Sequence, residues 1–426
     1  MQNSVNPSSL NSVWQFAAAA NIKFGRGSSL LTPAELARFK VRWPLIVSDK
    51  TVLALPQVIK LIAALHDADF SPQIFDACVP EPAIDTAKKA IEAGRAGKVD
   101  CVIGIGGGSN LDVAKMAAAV LKHSGEPENF FGFDAIPGPI LPLIAIPTTA
   151  GTGSEVSHSA VLTDRDAGVK VSTLSRWLRP TVAIVDPALT DSCPPRVTAH
   201  SGIDALVHAI EAYTNRDYSE MVGVDPQARA YEGSYPLTRL LAAETIRLVG
   251  RSLVPAYQHP SNQAARDDMA LAAMLAGMAF SNSGVAIVHA LEYPVGALTH
   301  CSHGEGNGLL LPHVMRFNLS ACQSRFAEIA QLLTGHSAGH SSSQTITNPN
   351  ISTTTSFTEA EALRAIDAVV AIQQAINIRP RLRDLGLEAH QIPLVAQKAF
   401  QIKRLMDVNP RRPTEQDLIT ILQAAY

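Results

Sequence analysis

Apolar positions along this chain fall into two successive patterns. Up to about residue 195, short β-branched runs recur: PLIVSD (44–49), PQIFD (72–76), VDCVIGIGGG (99–108), LPLIAIPTTAG (141–151) and PTVAIVDP (180–187). Most of them end at Gly, Pro or Asp. Between them lie stretches with helical spacing, such as LPQVIKLIAAL (55–65) and AIDTAKKAIEAG (83–94). Strands alternating with helices predict a parallel α/β sheet. Pro194 and Pro195 close this pattern. From Arg196 onward only helical runs follow, among them GIDALVHAIEAYT (202–214), PLTRLLAAETIRLVGRSL (236–253), EALRAIDAVVAIQQAI (361–376) and TEQDLITILQAAY (414–426). The expected fold class is therefore α/β plus all-α, with an α/β domain over 1–195 and a helical domain over 196–426. The Ser/Thr-rich stretch around 335–358 is expected to be a surface loop, and no internal repeat is visible.

One segment imitates a membrane span. Met269 to Leu291 contains no Asp, Glu, Lys or Arg, and its length approaches a bilayer crossing. Ser281-Asn282-Ser283-Gly284 interrupts it, so two buried helices of a helical domain are expected instead. The composition, 46% hydrophobic and 17% charged, suits a large packed core. A net charge of −3 offers no basic surface for nucleic acid. Five cysteines without a Cys-x-x-Cys pair fit a reducing compartment, hence a cytoplasmic location, better than a disulfide framework. The start of the chain has no basic region ahead of its apolar patch, so no signal peptide is expected.

Candidate chemistry begins at the strand ends. In VDCVIGIGGGSNLDVAK an apolar strand runs into Gly106, Gly107 and Gly108, and Ser109 opens a helix. Small residues let backbone approach an anion, and free N–H groups at a helix start attract phosphate. Ser109 stands where the usual G-x-G-x-x-G fingerprint has its last glycine, and no acidic residue follows at the end of a second strand. A second polar turn, with Thr148, Thr149, Thr152 and Ser154, closes LPLIAIPTTAGTGSEVS. Two such turns at strand ends favour a phosphate-bearing ligand over ordinary turn chemistry.

Asp204 and His208 stand four residues apart, on one face of an expected helix, among Ile203, Leu206, Val207 and Ile210. A carboxylate buried there needs a partner or a metal. His289 and His303 would complete an Asp-His-His-His set around a divalent ion with one position open. On spacing alone His300 and His313 compete with them.

These pieces, in this order, resemble the iron-containing (group III) alcohol dehydrogenase family. The resemblance rests on FGRG (24–27), SDK (48–50), GGGSNLDVAK (106–115), IPTTAGTGSEVS (146–157), DPALT (186–190), GIDALVHAIEAYT, the 289–318 stretch and NPRRPT (409–414). It implies an N-terminal NAD-binding, Rossmann-like domain and a C-terminal helical metal-binding domain, with the site in the cleft between them. It places the metal on Asp204, His208, His289 and His303, and leaves His300 and His313 outside the set. It places cofactor contacts on Asp49, Gly106, Gly107, Gly108, Ser109, Asp112, Thr148, Thr149, Thr152, Lys170 and Leu189. The ion is expected to be iron(II), with zinc(II) the alternative, since affinity generally increases from iron(II) to zinc. A homo-oligomer, a dimer, is expected, with no membrane and no nucleic-acid partner.

Two positions depart from the family pattern. Tyr293 replaces a histidine that many members carry four residues after the third ligand, so it becomes a candidate hydrogen-bond partner of a substrate oxygen. Glu81 stands where an Asn is common. The implied reaction is hydride transfer between NAD(H) and a small alcohol and its aldehyde or ketone, with the metal as Lewis acid. Asp49 would accept from the cofactor ribose and repel a 2′-phosphate, which predicts preference for NAD over NADP. Rival expectations are a hydroxyacid–oxoacid transhydrogenase or hydroxy-acid dehydrogenase, and a lyase resembling dehydroquinate synthase. The lyase needs basic residues near the metal, and 289–303 contains no Lys or Arg.

Overall fold

The computed structural model describes residues 13–166, 168–221, 229–335 and 357–426. Nine strands are described: β1 (Asn21–Phe24), β2 (Pro44–Val47), β3 (Gln73–Phe75), β4 (Cys101–Gly106), β5 (Gly132–Phe133), β6 (Leu143–Pro147), β7 (Ser159–Asp164), β8 (Val169–Leu174) and β9 (Val182–Val185). The helices of this part are α1 (Thr32–Phe39), α2 (Lys50–Leu53), α3 (Pro56–Asp67), α4 (Ile84–Gly97) and α5 (Gly108–His123). Six strands form one sheet in the order β1-β9-β6-β4-β2-β3, parallel throughout. The five runs read from the sequence supply β2, β3, β4, β6 and β9. Strand β4 is buried along its whole length, as expected of a strand covered on both faces.

The sequence pattern did not indicate β1 or the antiparallel β7–β8 hairpin. β1 is four residues with a lysine in it, and the hairpin carries Ser, Thr, Asp and Lys between its apolar positions. Such short alternating runs look like loop until they find a neighbour. β1 finds β9 at the sheet edge; β7 and β8, with β5, make a separate three-stranded sheet.

From Pro195 every described α-helix or strand is a helix: α6 (Pro195–Thr214), α7 (Pro236–Gln258), α8 (Gln263–Ser283), α9 (Ile287–Thr299), α10 (His303–Thr334), α11 (Glu359–Ala375), α12 (Ile392–Phe400), α13 (Lys403–Val408) and α14 (Glu415–Ala425). The apolar stretch 269–291 does split at Gly284 into α8 and α9, which meet at 105°. Gly284 has φ 98°, a left-handed conformation that favours glycine, and its missing Cβ would lie 2.9 Å from the Tyr231 ring. No single helix among the described residues is long and apolar enough to cross a membrane, and only this bent pair passes by composition. One continuous core joins α6 to α14, with Ile203, Leu206, Val207 and Ile210 of α6 inside it. Most of the Ser/Thr-rich stretch, 336–356, lies outside the described residues.

Candidate active site

The two polar turns read from the sequence meet at the carboxyl ends of β4 and β6. Helix α5 begins at Gly108, with Gly107 as N-cap and no side-chain cap. Its first amides therefore lack intrahelical acceptors and point out of the helix end, where an anion is favoured. Thr152 lies so close that a Cβ on Gly108 would come within 2.8 Å of it, and Thr149 would lie 3.5 Å from one on Gly107. Ser109 and Thr152 line the adjoining cleft. Gly106 has φ 144°, and a Cβ there would strike Asn110 Nδ2 at 2.0 Å. Thr148 is buried and donates its amide to Gly106 O at 3.0 Å.

The remaining candidate cofactor residues have structural partners already. Asp49 caps α2, accepting from Thr51 and Val52 amides at 2.9 and 3.0 Å, and its second oxygen accepts from Asn110 Nδ2 at 2.8 Å. Asp112 accepts from Ser154 Oγ at 2.8 Å and from the Val161 amide at 3.0 Å, and burial pushes its carboxyl up. Leu189 is buried in the apolar cluster that also contains Ile105 and Ile146. Lys170, on β8, lies 3.0 Å from Glu81 and 3.5 Å from Glu292.

Asp204 and His208 both lie in the middle of α6 and are buried. His289, from the first turn of α9, faces them, and ligand atoms of these three lie within 4.8 Å of one another. Asp204 Oδ2 is 3.9 Å from His208 Nδ1, and Oδ1 is 3.9 Å from both His289 Nε2 and His303 Nε2. These separations exceed hydrogen-bond reach and set three imidazole nitrogens about the Asp204 carboxylate. His303, the first residue of α10, stands at the open side, 33% exposed, and falls outside the tighter mutual grouping. His300 is exposed at the end of α9, and His313 is half-buried and outside the group.

Two atoms show that these residues suit a cation. His208 Nδ1 and His289 Nε2 are buried and have no hydrogen-bond partner. Leaving two such nitrogens dry costs about 1–3 kcal/mol each, and a bound ion removes that cost. Burial lowers the His208 pKa to about 3, so this imidazole is neutral, the form that ligates. It stacks between Phe280, at 4.2 Å, and His289, at 4.7 Å.

Three residues outside the sequence-derived set hold this cluster. Glu211, one helical turn beyond His208, accepts from His289 Nδ1 at 2.6 Å and from the Ala286 and Val288 amides at 2.8 and 2.7 Å. Glu292, fully buried, hydrogen-bonds His303 Nδ1. Each carboxylate places the proton on Nδ1 and leaves Nε2 toward Asp204. Asn307 donates to Asp204 Oδ1 at 2.8 Å. A faint sequence signal existed: glutamates at 211 and 292 each stand three residues after a candidate ligand, in otherwise apolar helices. Tyr293, partly buried, has its ring centroid 6.0 Å from that of His303, and burial holds its phenol well above the ordinary range.

The cluster and the glycine turn border one cleft with about 180 Å³ of interior space, lined by Gly108, Ser109, Asp204, His208, His289 and His303. Sequence profiles locate this architecture. The profile described as iron-containing alcohol dehydrogenase matches residues 19–187, and that described as the C-terminal part of the Fe-containing alcohol dehydrogenase family matches 230–426. The chain belongs to the iron-containing alcohol dehydrogenase family. It is 36% identical over 396 residues to long-chain-alcohol dehydrogenase 1 of Geobacillus thermodenitrificans, covering 92% of this chain and 91% of that one. With the 1,3-propanediol dehydrogenase of Klebsiella pneumoniae it shares 34% identity, covering 90% and 91% of the two chains. The crystal structure of a 1,3-propanediol oxidoreductase superposes with a TM-score of 0.86 at 31% identity, covering 97% of this chain and 100% of that one. As a member of the iron-containing family, the chain is an NAD-dependent oxidoreductase of alcohols and aldehydes, and the family implies NAD and a divalent metal.

That membership removes the lyase alternative. The sequence argument against it fails on its own terms: Lys170 and Arg404, remote in sequence from 289–303, line the same cleft.

Proposed function

We propose that this alcohol dehydrogenase holds its divalent ion with Asp204, His208, His289 and His303, and that the NAD diphosphate lies on the Gly106–Ser109 turn. The orphaned, buried His208 Nδ1 and His289 Nε2 facing Asp204 carry this reading. An ion there supplies Lewis acidity toward the substrate oxygen. Glu211 and Glu292 keep two imidazoles in the ligating tautomer. The amides at the start of α5 would hold the diphosphate, beside the hydroxyls of Thr149 and Thr152. Asp49, beside the turn through Asn110, accepts from the ribose while its charge disfavours a 2′-phosphate. The Tyr293 phenol, held protonated, donates to a substrate oxygen.

We assign the NAD-binding part to residues 1–195 and the metal-binding part to 196–426. Iron(II) is the proposed ion and zinc(II) the alternative; three imidazoles and one carboxylate suit both. Five free cysteines support a reducing, cytoplasmic setting. A homodimer is proposed on the family resemblance, and light scattering tests it.

The test is reconstitution of metal-stripped protein separately with iron(II) and zinc(II), followed by NADH absorbance over a panel of small alcohols and aldehydes. Activity should require the ion and disappear in His208→Ala, while NAD still binds. Full activity of a metal-free His303→Ala protein overturns the reading.

A further inference from the structure

The cleft that contains the Asp–His cluster has a second charged pole. Arg404, in the first turn of α13, lines it together with Ser172, Tyr231 and Tyr293. Its Nη2 donates to Ser172 Oγ at 3.4 Å, and its charge acts on the neighbouring Tyr231 phenol. Its Nε is buried without a hydrogen-bond partner. No carboxylate forms an ion pair with it among the described residues. The other cation of the cleft is differently placed. Lys170 lies between Glu81 and Glu292, so two carboxylates already face one ammonium. Arg404 is thus the cation left with an unsatisfied donor and no counter-charge, in a space built to receive substrate.

Desolvating a guanidinium without an anion is unfavourable, and its planar fork matches a carboxylate or sulfonate bidentately. Ser172 and Tyr231 add hydroxyls to the same cleft. We propose that Arg404 binds the anionic tail of the substrate, a carboxylate or sulfonate on an aldehyde whose carbonyl oxygen reaches the metal cluster. The proposal rests on the functional reading above and narrows its substrate class. In the reducing direction the aldehyde carbon takes hydride from NADH and its oxygen takes a proton, giving a hydroxy acid or hydroxysulfonate and NAD. The anion is unchanged throughout. Glu81 fits the same picture: by pairing with Lys170 it leaves Arg404 as the recognition charge.

The test compares kcat/KM of the metal-loaded protein with NADH for aldehydes matched in chain length. Succinic semialdehyde is set against butanal, and sulfoacetaldehyde against acetaldehyde. At least one charged member should be favoured by about tenfold or more, the effect of one added charge-assisted contact. Arg404→Gln should collapse the charged-to-neutral ratio by about the same tenfold or more, mainly through KM. Arg404→Lys should recover part of the loss, since it restores charge but not the fork. Calorimetric titration of 4-hydroxybutyrate and of butan-1-ol into the NADH-loaded protein, where both redox partners are already reduced, reads the same contact without turnover, and melting curves check that the variants fold. Preference for only one of the two anions supports the proposal and names its source. A wild-type preference for the neutral aldehydes, or an unchanged ratio in Arg404→Gln, overturns the role of Arg404 and leaves the dehydrogenase reading intact. Failure to reduce any aldehyde overturns both.

Discussion

Glu211→Gln isolates what a buried carboxylate does for a metal site it does not touch. Glu211 Oε2 accepts from the Ala286 amide at 2.8 Å and from His289 Nδ1 at 2.6 Å, while Oε1 accepts from the Val288 amide at 2.7 Å. Glutamine has nearly the same shape but only one accepting oxygen. If that oxygen takes the Oε2 place, the new NH2 opposes the Val288 N–H. One buried charge-assisted bond is then lost, about 1.5–3 kcal/mol. If the amide turns over, NH2 faces His289 Nδ1, which must become the acceptor. The imidazole proton then moves to Nε2, the nitrogen 3.9 Å from Asp204. A protonated Nε2 cannot ligate, so binding must first reverse the tautomer. Loss of such an outer partner typically weakens metal affinity about 10–100-fold, which is about 1.4–2.7 kcal/mol. The assay is competition for zinc(II) and iron(II) against a chelator of known affinity, with melting of the metal-free protein run alongside. The variant should melt lower without metal, and its affinity should fall beyond what the folding loss explains. Wild-type affinity in a folded Glu211→Gln protein would refute the tautomer argument.

Other perturbations probe the rest of the molecule. Asp49→Asn keeps the cap on α2, because asparagine is as good an N-cap as aspartate, and removes the charge together with the hydrogen bond accepted from Asn110. The ratio of kcat/KM for NAD to that for NADP should narrow about tenfold or more, and an unchanged ratio would remove Asp49 from cofactor selection. Gly277 of α8 lies against the 151–157 turn, where an added Cβ would come within 2.6 Å of Gly153 O and 2.7 Å of Val156 Cγ2. Gly277→Ala should therefore lose about 1–3 kcal/mol in urea unfolding by overpacking, and equal stability would show that the turn can yield. Burial pushes the Glu155 carboxyl from 4.5 up to about 7. Below the lower value it is protonated in both states; above it the unfolded chain ionises first, so stability falls as pH rises through this window. The full shift is worth about 3 kcal/mol. Glu155→Gln should flatten that part of the stability profile, and a retained slope would refute the assignment.

The order of motifs, the parallel α/β pattern and the helical remainder were legible in the chain because each depends on local spacing. Strand runs ending in glycine, the Asp204–His208 pair on one helical face and the break at Gly284 are all decided within a few residues. Short alternating segments such as β1 and the β7–β8 hairpin were not legible, because their pairing partners lie elsewhere in the chain. Residue type and spacing nominated His300 and His313 alongside His289 and His303. The family resemblance separated them in advance; in the fold, the crossing of α6, α9 and α10 turns His289 and His303 toward Asp204. The same crossing recruits Glu211, Glu292 and Asn307, whose roles exist only through what they touch. It also brings Lys170 and Arg404 into a cleft whose nearest sequence motif has no basic residue at all. Local sequence determines which elements form and what chemistry they can carry. Charge balance and tautomer belong to the assembled interior, because they depend on distances between groups on different elements, such as Glu211 and His289, 78 residues apart along the chain.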